Sequence, residues 1–377
     1  MKPGLIFTAI FFLLSYQTAT TAVELGAGGY GVFLGNEPNA KGLRLNARDH
    51  QVQRVDGVNL TLWKAREDSA AVFNGLGIGL IGPEGGVLRG LMLGGLEVWA
   101  DKSLTGIALG GAGVGIGGKL HGIAAGLAGV GAGEHISGVA LGGLGVGTAG
   151  KLSGIGVGGL GVGTGDDITG AALGGLGVMA GESLRGIGAG LLGTGVGENL
   201  KGIGVGGMGV GVGKDAIGLV LGGVGAGVGE NLKGIGVGLV GLGVGKDLSG
   251  VGMGGVGLGA GGNIRGIALG GVVMAGQGIT GLTLGPAGVR AQERITGIIG
   301  SLVSIGAPEM RGVMVSSLNG VIFEDFWFRK FNQKMSGISI GLLNTTSQLR
   351  GVQLGLLNYA GNNPRWLRLL PLVNLHL

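Results

Sequence analysis

The chain has 377 residues, of which 98 are glycine, seven proline and none cysteine, with a formal net charge of +5. So few prolines exclude a collagen helix. A 45% hydrophobic content against 12% charge excludes a disordered glycine-rich linker. The lack of cysteine excludes disulfides and thiolate metal sites, and no cluster of Lys and Arg points to nucleic acid.

Residues 1–22 have the form of a secretory signal. Lys2 precedes an apolar run, Leu5 to Leu14, which is followed by Thr20-Thr21-Ala22. A run of about ten apolar residues is too short to span a bilayer, so a cleaved leader is expected and a mature chain beginning near Val23. Absence of cysteine fits an exported bacterial chain.

Residues 23–89 carry an irregular repeat, seen in Lys41-Gly42-Leu43-Arg44-Leu45, Asp56-Gly57-Val58-Asn59-Leu60 and Asn74-Gly75-Leu76-Gly77-Ile78. Polar residues there replace inner glycines. Residues 90–316 carry the regular repeat. A glycine followed mostly by an aliphatic residue recurs every sixteen positions, from Gly90 through Gly106 and Gly122 to Gly266, without a slip. A period held to the residue means one structural unit stacked on copies of itself.

Offsets are counted here from this anchor glycine. Aliphatic residues fall at offsets 1, 3, 6, 8 and 14, and often at 10. Offsets 1 to 3 and 6 to 10 alternate with period two, the mark of a strand. The phase flips at pairs such as Gly158-Gly159, Gly206-Gly207 and Gly222-Gly223, where a bend is expected. Offsets 11 to 13 read as a turn, as in Gly197-Glu198-Asn199. The predicted fold is all-β: a parallel β-solenoid with coils of about sixteen residues, two short strands per coil and atypical capping repeats at both ends. Aliphatic ladders at these offsets are expected between two facing sheets, with glycine turned outward. Those glycines serve tight corners and flat sheets, or form a smooth face that docks on another surface or a second copy. At offset 12, Glu198, Lys214, Glu230 and Lys246 alternate in sign and are expected to stack.

Gly266 to Val289 has no acidic or basic residue and is long enough to span a membrane, but Pro286 and the continuing repeat mark it as solenoid. After it, anchors continue at Gly281, Gly297 and Gly312. Residues 317–377 hold an aromatic segment, Phe323 to Phe331, read as a cap or a protruding loop. Two fourteen-residue units then follow, in which Asn344 and Asn358 occupy equal offsets and are expected to stack. Terminal units of this kind cap the open edges of a solenoid.

The ending, with GISIGLLN, GVQLGLLNYAGNNP and RWLRLLPLVNLHL, resembles a bacterial family of surface repeat-containing proteins of uncharacterised role. The resemblance covers most of residues 40 to 377. It implies an exported, envelope-associated protein and carries over no catalytic residue.

Motifs for chemistry fail on inspection. Gly113 to Lys119 and Gly145 to Lys151 begin like phosphate loops but continue with Leu120 and Leu152, where Ser or Thr must meet magnesium. Gly158 to Gly163 lacks the aspartate of a calcium roll. His50, His121, His135 and His376 have no metal spacing. Thr148 and Thr164 align at offset 10, but no longer hydroxyl ladder exists. No catalytic, cofactor-binding or metal-binding residue is assigned, and no enzyme is expected.

The expected function is therefore an exported structural or interaction protein of the bacterial envelope, a rigid scaffold or adhesin. It would lie at the cell surface or outer membrane, or alternatively in the periplasm. The partner is unknown; the surfaces in question are the envelope, another copy, or a host or neighbouring cell. The alternative is an outer-membrane β-barrel with one strand per repeat. Stacking predicts that one residue inserted after Gly206 shifts a coil out of register and lowers the melting temperature. Leu200→Asp should lower it further, by several kcal/mol of stability, because it buries an unpaired charge. Parent-like melting of both variants would reject the stacked coil.

Overall fold

The structure is a computed structural model that describes residues 22–28, 30–66, 69–320 and 333–377. The chain divides at Gly186/Ile187 into two units. Each unit by itself is a parallel β-solenoid. In the first, strand Leu152–Gly158 lies beside Ile168–Gly174 in parallel, with Gly154 opposite Gly170. In the second, Ala216–Gly222 pairs with Leu232–Gly238, and Gly225–Val228 with Gly241–Val244. Most regular coils thus hold a seven-residue and a four-residue strand. Parallel pairing at a sixteen-residue offset is coil stacking. A barrel of up-and-down strands pairs neighbours antiparallel, so the barrel alternative is set aside. Gly266 to Val289 runs through three strands, Ile264–Ala275, Gly278–Leu284 and Gly288–Ala291, as expected of solenoid. The proposed leader and the segment Phe323 to Phe331 lie outside the described residues.

Each coil is built around its anchor. The anchors have φ between 114° and 134° from Gly42 to Gly186, and between 115° and 139° from Gly202 to Gly351. An L side chain is strained there. A Cβ on Gly234 would also collide with the carbonyl oxygen of Gly218, the anchor one coil earlier. Glycine is thus required twice over, by conformation and by contact.

The core is narrow and filled from five offsets. Offset 14 supplies the longest ladder. Leu104, Leu120, Ile136, Leu152, Ile168 and Leu184 have no exposed surface in the first unit, nor have Leu200, Leu232 and Leu248 in the second. Offsets 8 and 10 add Val146 and Thr148, Val162 and Thr164, Val210 and Val212, all buried. Offsets 2 and 4 hold only small residues over most of the regular region, such as Ala140 and Gly142.

Offsets 8, 10 and 14 face inward as expected, but offsets 1, 3 and 6 face out. Ile123, Leu141 and Leu160 are 41%, 41% and 52% exposed. The glycines at offset 4, placed outside by the alternation, are buried. The reason is a bend the sequence pattern does not reveal. The strand continues through the anchor, but the positive φ turns the ribbon, so offsets 15, 0 and 1 all lie outside the core and the phase flips. Offset 9 keeps the expected outward glycine with open space beside it. A Cβ on Gly211, Gly227 or Gly243 meets nothing within 4 Å.

Both ends carry an antiparallel cap strand. Val23–Ala27 pairs antiparallel with Tyr30–Leu34, and Leu369–His376 with Gln348–Ala360. The end coils also replace aliphatic core by polar networks. At the amino end, fully buried Arg44 bonds Asp49 at 2.6 Å and Asn59 at 2.8 Å, and Asn59 Nδ2 donates to Asp49 at 3.0 Å. At the carboxyl end, Asn319 donates to Asn344 at 2.8 Å and Asn344 to Asn358 at 2.7 Å, so the expected asparagine stack is present.

Two alanine substitutions separate the roles of glycine. Gly234→Ala should cost at least about 2 kcal/mol, from strain at positive φ plus the carbonyl collision. Gly227→Ala should be neutral or stabilising by up to about 1 kcal/mol, since it reduces the freedom of the unfolded chain. Hydrogen exchange of the coils around each site reads both. Equal effects would contradict this account of the bend.

Candidate functional site

The exposed aliphatic residues form ladders. In parallel register Ile123 lies beside Val139, and Val139 beside Ile155, at offset 1; Ala125, Leu141 and Val157 follow at offset 3. Beyond them the chain turns through the glycines at offsets 4 and 5. A Cβ on Gly142 would collide with the carbonyl oxygen of Gly145, so this corner is tight. Leu127 at offset 5 and Leu144, Leu160 and Leu176 at offset 6 rise on its far side, 78%, 56%, 52% and 49% exposed.

Between the offset-3 ridge and the far ridge runs a groove floored by offset 4. In the first unit it holds a cavity of about 1200 Å³ between Leu34, Leu45, Leu60, Ile78 and Leu93, with Leu62 and Leu80 opposite. A second cavity of about 730 Å³ shares Leu93 and Gly94 with the first and continues past Leu109, Leu127 and Leu141 to Val157. The same offsets recur in the second unit, where a cavity of about 600 Å³ lies between Val315, Ile340 and Leu354 on one side and Leu302, Leu342 and Leu356 on the other. Among the described residues, no charged side chain lines any of these cavities. Two aliphatic side chains already border the grooves from the antiparallel caps: Val23 in the first unit and Leu372 in the second.

Charge is gathered elsewhere. From Gly106 to Arg265 every Asp, Glu, Lys and Arg stands at offset 12, 13 or 15. The expected offset-12 pairs form: Lys214 bonds Glu198 at 2.6 Å and Lys246 bonds Glu230 at 2.8 Å. The carboxylates beside Lys214, Lys246 and Lys151 raise those ammonium pKa values, through Glu198, Glu230 and Asp167 respectively. Hydrogen bonds from the backbone and side chain of Asn263 lower Asp247. Those from Arg294 and Arg311 lower Glu309, and those from Arg54 and Asn74 lower Asp56. These exposed pairs are weak; they keep one edge wet and the coils in register.

The residues weighed for chemistry remain scattered. His121 lies opposite Ser137 and His135 opposite Lys119, and His376 Nδ1 meets Asn363 Oδ1 at 2.6 Å. Thr148 and Thr164 are register partners, but each hydroxyl is spent on a backbone carbonyl, of Glu134 and Asp166. The phosphate-loop look-alikes lie on the strands Gly113–Ile116 and Gly145–Thr148 and the turns after them. Among the described residues no group of three or more His, Asp or Glu is placed to hold a metal. One carboxylate departs from the rest. Burial raises Glu84 above its ordinary value, against the opposing charge of Lys64, with Glu97 and Asp101 adding repulsion.

Comparison with protein-family models, with curated proteins and with solved structures gives no match.

Glu84 couples stability to pH. Its raised pKa favours the protonated form in the folded state, so its contribution is full below the ordinary value of 4.5 and is lost as pH rises through the folded value. Glu84→Gln should therefore melt above the parent at pH 8 and together with it at pH 3. A variant that melts below the parent at pH 8 would mean that the charged form is stabilised. Asp56, Asp247 and Glu309 act in the opposite sense: their stability is present at neutral pH and is lost as pH falls through their lowered values.

Proposed function

We propose that this protein is an exported, non-catalytic scaffold of the bacterial envelope, and that its working surface is the aliphatic face with its groove. The observation that carries this reading is the segregation of the coil. Aliphatic ladders at offsets 1, 3 and 6 stand in solvent over many coils, while all charge from Gly106 to Arg265 is confined to offsets 12, 13 and 15. Monomeric proteins rarely expose contiguous apolar patches beyond a few hundred Å². A stacked fold with a regular face suits display and docking, because every coil offers the same surface at a fixed spacing. The apolar stretch Leu5 to Leu14 and the resemblance of the carboxyl-terminal motifs support export and the envelope.

The test is fractionation of a bacterial host expressing the full chain, with amino-terminal sequencing of the product. The reading expects a chain processed near Val23, found in the envelope fraction and released by alkaline carbonate. An unprocessed chain in the cytoplasm would overturn it.

A further inference from the structure

We propose that the aliphatic face is a self-docking surface. Two copies of this chain pack face to face, with the offset-3 ridge of each seated in the groove of the other. This rests on the scaffold reading and names its partner.

Area is the first argument. Between Leu91 and Leu176 the first unit exposes twelve large aliphatic side chains, each between 37% and 78%. Together they offer on the order of 1,000 Å², above the ~800 Å² per partner of a standard stable interface. A face of this size left in water carries a large hydrophobic penalty that a second copy removes.

Spacing is the second. The side chains along each ridge repeat once per coil, ~4.8 Å apart as strands are. A second copy has side chains at the same interval, so one seated side chain aligns all the others along the ridge. A bilayer has no such period. The shape is self-complementary because ridge and groove lie side by side on each coil, which suits a twofold, closed pair.

Chemistry is the third. The offset-15 residues along the middle of the face in this unit are Thr105, His121, Ser137, Ser153 and Thr169, a polar row with Arg89 and Arg185 at its two ends. That is the anatomy of a protein interface, with an apolar centre and a polar rim. The chain also supplies its own precedent. Val23 and Leu372, each from an antiparallel cap strand, border the groove with aliphatic side chains at the two ends of the chain.

The experiment is sedimentation velocity of the full chain across micromolar concentrations, paired with flotation on phosphatidylcholine–phosphatidylglycerol vesicles. The parent should be a dimer that does not float. Leu141→Glu with Leu173→Glu, at side chains 41% and 43% exposed, should be a folded monomer, with association weakened on the order of a hundredfold or more. Lys151→Glu, on the charged edge, should remain dimeric. A monomeric parent that floats would overturn self-docking in favour of lipid and leave the scaffold reading intact. A dimer that persists in the double variant would place the interface elsewhere and overturn the proposal. A variant that fails to fold is replaced by Leu141→Cys, the sole cysteine of its chain, treated with a bismaleimide. Copies should crosslink through it and not through Lys151→Cys; equal crosslinking overturns the proposal. Failure of the scaffold reading is seen separately, as an unprocessed cytoplasmic chain.

Discussion

One glycine per coil, held at a φ that an L side chain resists and pressed against the carbonyl of the glycine one coil earlier, sets the rest of this structure. Because a Cβ fits neither the conformation nor the contact, the anchor position admits no drift. Because it bends the ribbon, it decides which residues face in. The positive φ puts offsets 15, 0 and 1 outside together. The aliphatic residue that follows nearly every anchor is therefore delivered to the surface.

The consequence is a core of unusual economy. Leucine or isoleucine at offset 14, valine at 8 and small residues at 2 and 4 leave space for little else. Stability in such a fold comes from repetition, each coil burying its neighbours' ladders and sharing their hydrogen bonds. Large aliphatic residues that a globular domain would place inside are left in water. The same constraint that makes the stack regular makes its outer face apolar, so architecture and exposed face have one origin.

Where the repeat ends, the chemistry of the core changes. Arg44, Asp49 and Asn59 replace apolar contacts at one end, and Asn319, Asn344 and Asn358 at the other. A buried charge is costly unless paired and hydrogen-bonded, and Arg44 reaches three polar side chains: Asp49, Asn59 and, through its other terminal nitrogen, Asn36. Such networks accept one register only, because a slip by one position strands every donor. They lie next to the antiparallel caps, which end the parallel stack where an open edge would otherwise recruit another strand.

How much of this was legible in the residues depends on what repeats. Sixteen-residue spacing, the strand character of the unit, the offset-14 ladder, the stacked pairs Lys214–Glu198 and Lys246–Glu230 and the Asn344–Asn358 contact all follow from the sequence. Register is a linear property: equal offsets become neighbours in any parallel stack. The inward or outward sense of Ile123, Leu141 and Leu160 is not linear. It depends on backbone turns at the anchor and at the Gly-Gly corner, and alternation counted along the chain is blind to a bend that reverses its phase. The apolar face and the groove beside it were therefore decided by the tertiary structure alone, which closes each coil over its smallest residues and turns its largest ones outward.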